Sequence, residues 1–510
     1  MRSLRRGDDR LARVIGPLRL VLRGALLVVV VLSMLCEHAA DAAPTADPYD
    51  AEIVATSSDL AQHLTRLPHI EFGSAKVSGV PLIDVNAAVR YQRVGGFGAA
   101  MTDTSAWLIE RHMPVAARQA LMGELFGGTG IHLNFVRIPM GASDFTHDGN
   151  PYTYDDLRPG GSDQALRHFS IAHDRAYILP ALRQARAENP QTRFLASPWT
   201  PPAWMKRNHS LGNAGNRGTL LPAAYAPWSQ YFAKFLLAYA RAGVPVGAIT
   251  AQNEPGTPTL YPGLNLSAGS ESRWITHHLE PALVAAGLRP RVYGGDLGWG
   301  PHTNAYMTTD IRGPAGRALA GISWHCYFGS PSVMGQFRQA APRLDEIVDE
   351  CSPGLITPTP TPEIVIASLR EWASTVALWN LALDPRGGPV QVPNRGCPGC
   401  VGLAQIDETT GAVSLTRSYY QLGQASAFIA PGAQRVASPH FVSYVYPHAG
   451  VNVVTPGLDD VAFRNPDGSL VLVAYDNASV PVRFAVRWRG RALVYGLTPG
   501  AMVTLVWNRG

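Results

Sequence analysis

Apolar and polar positions follow one pattern up to about residue 430 and a different one after it. Between residues 97 and 428, short apolar runs alternate with amphipathic stretches of helical length. Three such runs are IHLNFVRI at 131–138, FLAS at 194–197 and VGAITA at 246–251, and the stretch 225–242 has apolar residues at helical spacing. Strand–helix alternation predicts a parallel sheet, and its length of about 330 residues favours a closed (β/α)8 TIM barrel, an α/β fold.

Beyond residue 430 the helical period is lost. Short β-like segments separated by Pro, Gly, Asn and Asp lie at 441–446, 451–454, 460–463, 470–475 and 480–486. This spacing is typical of a β-sandwich. Two similar segments, at 52–56 and 80–85, precede the barrel and have no partners of their own. We therefore expect the N-terminal strands to complete a sandwich that the C-terminal strands form.

The first 42 residues have the layout of a secretory signal peptide. A basic region at 2–23 precedes an apolar run at 25–35, and Ala-Asp-Ala at 40–42 offers a small-residue cleavage site. The apolar run is too short to cross a bilayer comfortably, although an uncleaved anchor is the alternative. The predicted organisation is a signal at 1–42, sandwich strands at 43–92, the barrel at 93–430 and the sandwich at 431–510. The mature protein is expected to be secreted, extracellular or periplasmic, without an integral membrane span.

Composition permits a large core, because apolar residues make up 46% of the chain and charged residues only 16%. The formal charge is +5, but the predicted signal holds seven arginines against four acidic residues. The remainder is close to neutral, so charge gives no reason to expect nucleic acid or an anionic membrane as a partner.

Four cysteines remain after the signal, an even number that suits an oxidising compartment. Cys397 and Cys400 form a CPGC motif in a loop rich in Gly and Pro. A redox motif would follow a strand and open a helix, so a local structural disulfide is the favoured interpretation. No Cys or His pattern has the spacing of a zinc site, and we expect neither a metal nor a cofactor.

Polar side chains follow several predicted strands, where a barrel places its active site. Glu254 comes directly after an apolar strand, and Asn253 beside it is a natural partner for a sugar hydroxyl. Glu350 also ends a short apolar stretch. All strand ends of a barrel face one mouth, so distance along the chain does not keep these carboxylates apart. Two carboxylates about 5 Å apart can act as acid/base and nucleophile of a retaining glycosidase.

Each of these residues also has a purely structural interpretation. A glutamate at a strand end can be a surface or helix-capping carboxylate, and Glu346, Asp349 and Glu363 compete with Glu350 for the second role. Aromatic residues at strand ends can belong to the hydrophobic core. A buried histidine and tyrosine can simply satisfy each other's hydrogen-bonding groups.

Several strand-end segments of the chain resemble glycoside hydrolase family 30, the family of acid glucosylceramidase and microbial β-1,6-glucanases. The resemblance runs from about residue 56 to the C-terminus. It is carried by GFGAAMTD at 96–103, RIPMGASDF at 137–145, ASPWTPPAW at 196–204, QNEP at 252–255 and WNLALDP at 379–385. Five motifs in the family's order are far more specific than any one of them.

The resemblance implies a barrel with an attached β-sandwich and a retaining β-glycosidase. It implies that Glu254 is the acid/base and that Glu350 is the nucleophile. The substrate-binding residues that it implies are Asp144, Trp199, Asn253, Tyr261, His325, Tyr327, Trp379 and, as a weaker match in a different loop, Asn394.

One position departs from the family pattern, because Asp349 precedes the implied nucleophile where family members usually have Thr or Ser. A second carboxylate there would raise the pKa of Glu350 by repulsion, unless its side chain points into the barrel wall. A Cys326–Cys351 disulfide is a further hypothesis, since both cysteines follow pocket residues on neighbouring strands.

The resemblance implies a β-glucosidic substrate, which could be a glucan, a simple glucoside or a glucosyl lipid. The HCY triplet at 325–327 and the GCPGC loop at 396–400 resemble the microbial, glucanase-like branch more closely. Other possibilities are a catalytically silent carbohydrate-binding protein, a surface adhesion module that uses the sandwich, and an inverting enzyme. The last would need carboxylates about 6.5–9.5 Å apart.

Overall fold

Four strands precede the barrel in the computed structural model, which describes residues 49–74, 77–353, 360–391, 397, 399–442, 444–445, 453–454 and 457–507. These strands are β1 (Asp50–Thr56), β2 (Thr65–Glu71), β3 (Leu82–Asp84) and β4 (Asn86–Arg93). The signal peptide predicted for residues 1–42 lies outside the described residues.

Eight parallel strands then close into a barrel in the order of the chain. Their bounds are β5 (Gly96–Ala100), β6 (Phe135–Pro139), β7 (Arg193–Ser197), β8 (Ala248–Thr250), β9 (Arg291–Trp299), β10 (Gly321–Gly329), β11 (Asp345–Glu350) and β12 (Ala373–Leu378). β12 pairs with β5, which closes the sheet and leaves no edge strand. The predicted barrel is confirmed.

Helices connect the barrel strands and pack outside them. The α-helices are α1 (Asp103–Trp107), α2 (Val115–Phe126), α3 (Ile178–Glu188), α4 (Tyr225–Arg241), α5 (Ala268–Trp274), α6 (Glu280–Ala285), α7 (Pro301–Arg312), α8 (Ser332–Ala340), α9 (Thr361–Arg370) and α10 (Arg417–Ser426). π-helical turns occupy Leu108–His112 and Ile275–Leu279. Short 3-10 turns occupy Asp174–Ala176, Ala203–Met205, Ala214–Asn216, Pro222–Ala224 and Pro314–Arg317. Of the helices in the described ranges, none has both the length and the apolar composition that a bilayer crossing requires.

The described chain after β12 contains short β-strands and the helix α10. Its strands are β13 (Ala382–Leu383), β14 (Ala404–Ile406), β15 (Val413–Leu415), β16 (Gln434–Ala437), β17 (Tyr444–Val445), β18 (Val453–Val454), β19 (Leu458–Arg464), β20 (Leu470–Asp476), β21 (Val482–Trp488), β22 (Arg491–Leu497) and β23 (Met502–Trp507). β13–β15 form a small sheet beside the barrel mouth, and β17 pairs with β18.

The sandwich combines strands from both ends of the described chain. One sheet has the order β2-β1-β23-β20-β19-β16-β4, and the other has the order β22-β21-β3. Ile53 of β1, Leu472 of β20 and Phe484 of β21 belong to one buried apolar cluster between the sheets. The N-terminal strands therefore complete the sandwich, as predicted from their lack of local partners.

The predicted strand at 131–138 is shorter than its apolar run. His132 has a φ of 55°, in the left-handed region, and β6 begins only at Phe135. Ile131 and Leu133 donate backbone hydrogen bonds to Glu124 and Leu125 at the end of α2, at 2.8 and 2.9 Å. The first half of the run therefore closes α2, because its backbone groups are satisfied there before the strand starts.

Candidate active site

A cavity of about 180 Å³ opens at the carboxyl ends of the barrel strands. It is lined by Asp144, Trp199, Asn253, Glu254, Tyr261, Tyr327, Phe328, Glu350, Trp379 and Cys397. These include both carboxylates and all but two of the substrate-binding residues predicted from the sequence. His325 lies just below the cavity, hydrogen-bonded to Glu254, and Asn394 lies outside the described residues.

Larger grooves exist on the surface, but they lack the chemistry of this cavity. A groove of about 1060 Å³ has Glu280 as its one acidic residue, and a groove of about 830 Å³ has Asp84. Neither carries a pair of carboxylates among its lining residues. Convergent polar groups, and not volume, therefore identify the candidate active site.

The two predicted catalytic carboxylates meet across this cavity. One carboxylate oxygen of Glu254 and one of Glu350 lie within 4.8 Å of each other. His325 lies between them, with Nδ1 at 3.1 Å from Glu254 Oε1 and at 3.7 Å from Glu350 Oε1. This separation suits a carboxylate pair that acts on one glycosidic bond from the two sides of the sugar ring.

Backbone geometry fixes where Glu254 points. Glu254 has a φ of 42°, which is uncommon for a residue other than glycine. Its N–H donates to the carbonyl of Asp296 at 3.0 Å. Asp296 is itself in the left-handed region, with a φ of 57°. These two constrained residues, one in β9 and one in the loop after β8, therefore hold the Glu254 carboxylate at the barrel mouth. Strained backbone conformations of this kind are often found at functional sites.

Glu350 is the last residue of β11 and accepts hydrogen bonds from two sides. Tyr327 Oη donates to Oε1 at 2.8 Å, and Arg137 Nη1 donates to Oε2 at 2.5 Å. Burial raises the pKa of Glu350, while His325 and Arg137 act in the opposite direction. The donors all favour the ionised carboxylate, which is the form a nucleophile needs.

His325 is enclosed by carboxylates on both sides of its ring. Nδ1 faces Glu254 Oε1, and Nε2 lies 2.9 Å from Asp296 Oδ1. Burial alone would lower the pKa of His325, but Glu350, Asp296 and Glu254 raise it well above the usual value. Because both ring nitrogens can donate only in the imidazolium, His325 carries a positive charge beside Glu254.

The central cation of the site is Arg137, in the middle of β6. It is fully buried and donates through Nε to Asp349 Oδ2 at 2.8 Å and through Nη2 to Asn253 Oδ1 at 2.8 Å. Nη2 also lies 3.0 Å from Asp296 Oδ1. With its bond to Glu350, the guanidinium connects the three strands β6, β9 and β11 with the loop after β8. The sequence identified Arg137 only as part of a motif.

Asp296 is a second site residue that sequence reasoning missed. It is buried in β9 and accepts hydrogen bonds from Ser197 Oγ at 2.5 Å and Thr250 Oγ1 at 2.7 Å, besides those from Arg137 and His325. Burial would raise the pKa of Asp296, but Arg137 and His325 lower it below the usual value. The one available signal was an acidic residue inside the buried run YGGDLGW at 293–299.

Asp349, the departure from the family pattern, is fully buried beneath the cavity. Its Oδ2 takes the Nε–H of Arg137, and its Oδ1 lies 3.8 Å from His325 Nε2. Burial raises the pKa of Asp349 to about 7, with Arg137 opposing the rise. At neutral pH this carboxyl therefore holds a proton part of the time, which lessens its repulsion of Glu350.

Aromatic rings form one wall of the cavity. Trp199 follows β7 and Trp379 follows β12, and their rings stack at 5.2 Å with an interplanar angle of 26°. The guanidinium carbon of Arg137 lies 4.7 Å from the Trp199 ring and 5.4 Å from the Trp379 ring.

Asp144 also lines the cavity, and burial and the charge of Glu350 raise its pKa well above the usual value. A protonated Asp144 could both donate to and accept from sugar hydroxyls beside this wall.

Phe328 lines the cavity, although no sequence pattern had identified it as a site residue. Two glycines of the β9 end make room for its ring, because a Cβ at Gly298 would come within 2.9 Å of the ring and one at Gly300 within 2.6 Å. The signal in the sequence is the GWG triplet at 298–300, which only the position of Phe328 explains.

Two disulfides lie at the site. Cys326–Cys351 joins the ends of β10 and β11, with a Cα–Cα distance of 5.3 Å. It thus ties the strand that carries Tyr327 to the strand that ends at Glu350. Cys397–Cys400 closes a short loop, and both cysteines pack in the apolar cluster that includes Trp199 and Trp379. These are the two pairings that the sequence analysis set out as hypotheses.

Among the residues that the structure describes, three groups of side chains have the atom spacing of a metal site. They are Glu254–His325–Glu350, Asp296–His325–Asp349 and Asp155–Asp163–His168. In the first two groups, His325 already directs both ring nitrogens at carboxylates, and Arg137 already supplies a cation. Their donor sets therefore suit a network of organic charges better than a metal ion.

Comparisons with known proteins agree with this geometry. The family model described as the glycosyl hydrolase family 30 TIM-barrel domain matches residues 94–332, and the family 30 beta sandwich domain matches residues 432–505. An endo-1,6-beta-D-glucanase from Neurospora crassa is 31% identical over 78% of this chain and 81% of its own length. The lysosomal acid glucosylceramidase of Mus musculus is 28% identical over 84% of each chain.

The solved structure of the endo-beta1,6-glucanase BT3312 superimposes with a TM-score of 0.76 at 26% sequence identity. The match covers 90% of this chain and 100% of that one. Family models thus match parts of both the barrel and the sandwich, and a relative above 30% identity spans most of both chains. The resemblance seen in the sequence motifs is confirmed: this chain belongs to glycosyl hydrolase family 30.

Proposed function

We propose that this protein is a retaining β-glucosidic hydrolase in which Glu254 is the acid/base and Glu350 is the nucleophile. The observation that carries the proposal is the approach of their carboxylate oxygens to within 4.8 Å in one cavity. Retaining glycosidases have carboxyl groups about 5–5.5 Å apart, whereas inverting enzymes leave about 6.5–9.5 Å for a water molecule.

In the first step, Glu350 attacks the anomeric carbon while Glu254 donates its proton to the glycosidic oxygen. The C–O bond to the leaving group breaks, and a covalent glycosyl ester forms on Glu350. Arg137 and Tyr327 supply hydrogen bonds to the attacking carboxylate at 2.5 and 2.8 Å, which hold it ionised and oriented.

In the second step, Glu254 accepts a proton from water, and the oxygen of that water attacks the anomeric carbon. The ester to Glu350 breaks, and the sugar leaves with the configuration of the substrate. His325, charged and 3.1 Å from Glu254, stabilises the carboxylate that forms when the acid has given up its proton.

For the substrate, we propose a β-1,6-glucan. The supporting observation is that three endo-1,6-beta-D-glucanases are 30–31% identical to this chain, against 28% for the mouse glucosylceramidase. A glucosyl lipid is the competing substrate, because it would place the same β-glucosyl ring against Trp199 and Trp379. Both substrates present an identical sugar to Glu350.

Purified enzyme should be incubated with β-1,6-glucan, a β-glucosyl lipid and an aryl β-glucoside. We expect the glucan to be cleaved fastest, and NMR to detect the β-anomer as the first product. Glu254→Gln and Glu350→Gln should each lose at least about a hundredfold in rate, the scale of removing a positioned acid or nucleophile.

Wild-type turnover in either variant would remove that residue from its role, and an initial α-anomer would overturn retention. Sugar binding without turnover in the wild-type protein would favour the catalytically silent alternative.

We also propose that the protein is exported and that the signal is removed after Ala42. The two disulfides support this proposal, because such bonds persist mainly in oxidising compartments. N-terminal sequencing of the mature protein tests it, and a start at Ala43 is expected. An intact N-terminus on the exported protein would favour the anchor instead.

A further inference from the structure

A lysine ammonium is buried between two loops at the barrel mouth. Lys206 is fully buried, and burial lowers its pKa to about 7. Within the described residues, no acidic group pairs with it. Its Nζ lies near four oxygens instead, those of Thr200 Oγ1 at 3.0 Å and of the carbonyls of Leu211 at 2.8 Å, Gly212 at 2.9 Å and Gly263 at 2.6 Å.

These oxygens belong to both loops. Residues 198–224 follow β7, and residues 251–267 follow β8. The backbone joins the loops at the same place, where Gly263 N donates to Leu211 O at 3.0 Å and Asn213 N donates to Thr259 O at 2.9 Å. Lys206 is thus a charged side chain that connects one loop to the other.

The second loop carries three residues of the cavity, Asn253, Glu254 and Tyr261. Glu254 lies near its start, and Tyr261 lies two positions before Gly263, the residue whose carbonyl is 2.6 Å from the ammonium. Tyr261 lines the cavity. Burial, together with the charges of Glu254 and Asp144, raises the pKa of Tyr261 well above its usual value.

A buried cation without a counter-ion costs free energy unless surrounding dipoles replace its hydration. An apolar side chain of the same length would avoid that cost but could not bind three carbonyl oxygens at once. We propose that Lys206 is a positioning residue, which holds the loop 251–267 so that Tyr261 contacts the leaving group of the substrate. This inference rests on the proposed function of the cavity.

A positioning role predicts a dependence on the leaving group. A substrate with a bulky leaving group uses Tyr261 in both the bound complex and the transition state, so loss of that contact raises KM more than it lowers kcat. β-Glucosyl fluoride has no leaving group large enough to reach Tyr261. Its hydrolysis should therefore depend little on Lys206.

The test is a double-mutant cycle with Lys206→Met, Tyr261→Ala and the double variant. With 4-nitrophenyl β-glucoside, Lys206→Met should lower kcat/KM about tenfold, mainly through KM. With β-glucosyl fluoride, the loss should stay below about threefold. In the Tyr261→Ala background, Lys206→Met should change kcat/KM by less than about twofold, because the contact it supports is already absent.

Equal losses with the two substrates, or additive losses in the cycle, would overturn the positioning role. Should Lys206→Met fail to fold, Asn213→Ala takes its place in the same cycle. Asn213 is buried and joins the same loops through Nδ2 to Thr257 O at 2.9 Å, without a charge. A wild-type enzyme that hydrolyses neither substrate would count against the proposed function and not against this inference.

Discussion

Removing the hydroxyl of Tyr327 should make the ionised form of Glu350 less stable. Its bond of 2.8 Å stabilises the ionised carboxylate, so Tyr327→Phe should raise the pKa of Glu350. The acidic limb of the kcat/KM profile should then move to higher pH by about one unit. The sign follows because the nucleophile works only when ionised, and a higher pKa leaves it protonated over a wider acid range. Steady-state rates measured from pH 4 to 9 check this outcome.

A matched control is Tyr419→Phe, which removes a tyrosine hydroxyl bonded to Glu124 Oε2 at 2.9 Å, away from the cavity. That variant should keep the wild-type pH profile. An unchanged acidic limb in Tyr327→Phe, or a limb shifted to lower pH, would contradict the role given to the tyrosine.

The sequence predicted Glu254 because it lies in the QNEP motif after an apolar strand, and Glu350 because it ends an apolar stretch and matches the nucleophile that the family resemblance implies. It did not predict the shared guanidinium, since Arg137 meets Asp296 and Asp349 only after the barrel closes. Those partners lie 159 and 212 residues away along the chain. No local sequence pattern shows which side chains from different strands point into the barrel at the same level along its axis.

Between α5 and α7, two carboxyl groups share a buried site. Glu271 and Asp310 are both fully buried and interact electrostatically with each other, and Tyr306 Oη donates to Glu271 Oε2 at 2.9 Å. Burial raises the pKa of Glu271 to about 7, and burial with the charge of Glu271 raises that of Asp310 to about 11. One proton is therefore retained between them through the neutral range.

This pair should make the protein less stable at alkaline pH. Both groups have a raised pKa in the folded state, so the folded chain binds more protons than the unfolded chain above about pH 4, and stability falls as pH rises. Asp310→Asn keeps a donor at every pH. We expect it to raise Tm relative to the wild type by at least about 2 °C at pH 9, and by less at pH 5.

Differential scanning calorimetry at the two pH values measures the effect. Asp467→Asn removes the charge of an exposed aspartate and should change Tm equally little at both. An Asp310→Asn variant whose Tm difference from wild type is the same at pH 5 and pH 9 would refute the shared proton.

At the level of elements, apolar runs predicted most barrel strands but not their limits. β7 and β8 lie within one or two residues of their runs at 194–197 and 246–251. β6 begins four residues late, because the first part of its run pairs with the end of α2. An apolar run shows that a segment is buried, whether it forms a strand or closes a helix. Only the backbone hydrogen bonds distinguish the two.

In the whole molecule, one face of the large sandwich sheet packs into the apolar core of the barrel, while the sandwich keeps a second cluster between its own sheets. Phe463 and Val473 of the sandwich belong to the same buried cluster as Leu125 and Ile131 beside the barrel. Gln424 on α10 adds polar links, since its side chain donates to Thr56 Oγ1 at 2.8 Å. The different hydrophobic periods of the two modules predicted that both exist. They did not predict the apolar contact between the modules, because that contact forms only when the modules pack together.

A shared core predicts that the two modules unfold together, and Arg370 offers a direct probe. This residue ends α9, is 8% exposed at its side chain, and donates to Pro439 O at 2.5 Å and to the carbonyl of Asp460. Arg370→Ala leaves buried sandwich acceptors without a donor, at a cost of about 3 kcal/mol. Calorimetry should record one transition, lowered by at least about 3 °C, and activity should be lost over the same temperature range.

A matched control is Arg241→Ala, which removes an exposed arginine at the end of α4 and should leave Tm within about 1 °C of wild type. Two resolved transitions in Arg370→Ala, with activity surviving the first, would mean that the sandwich melts independently and that the barrel needs no support from it.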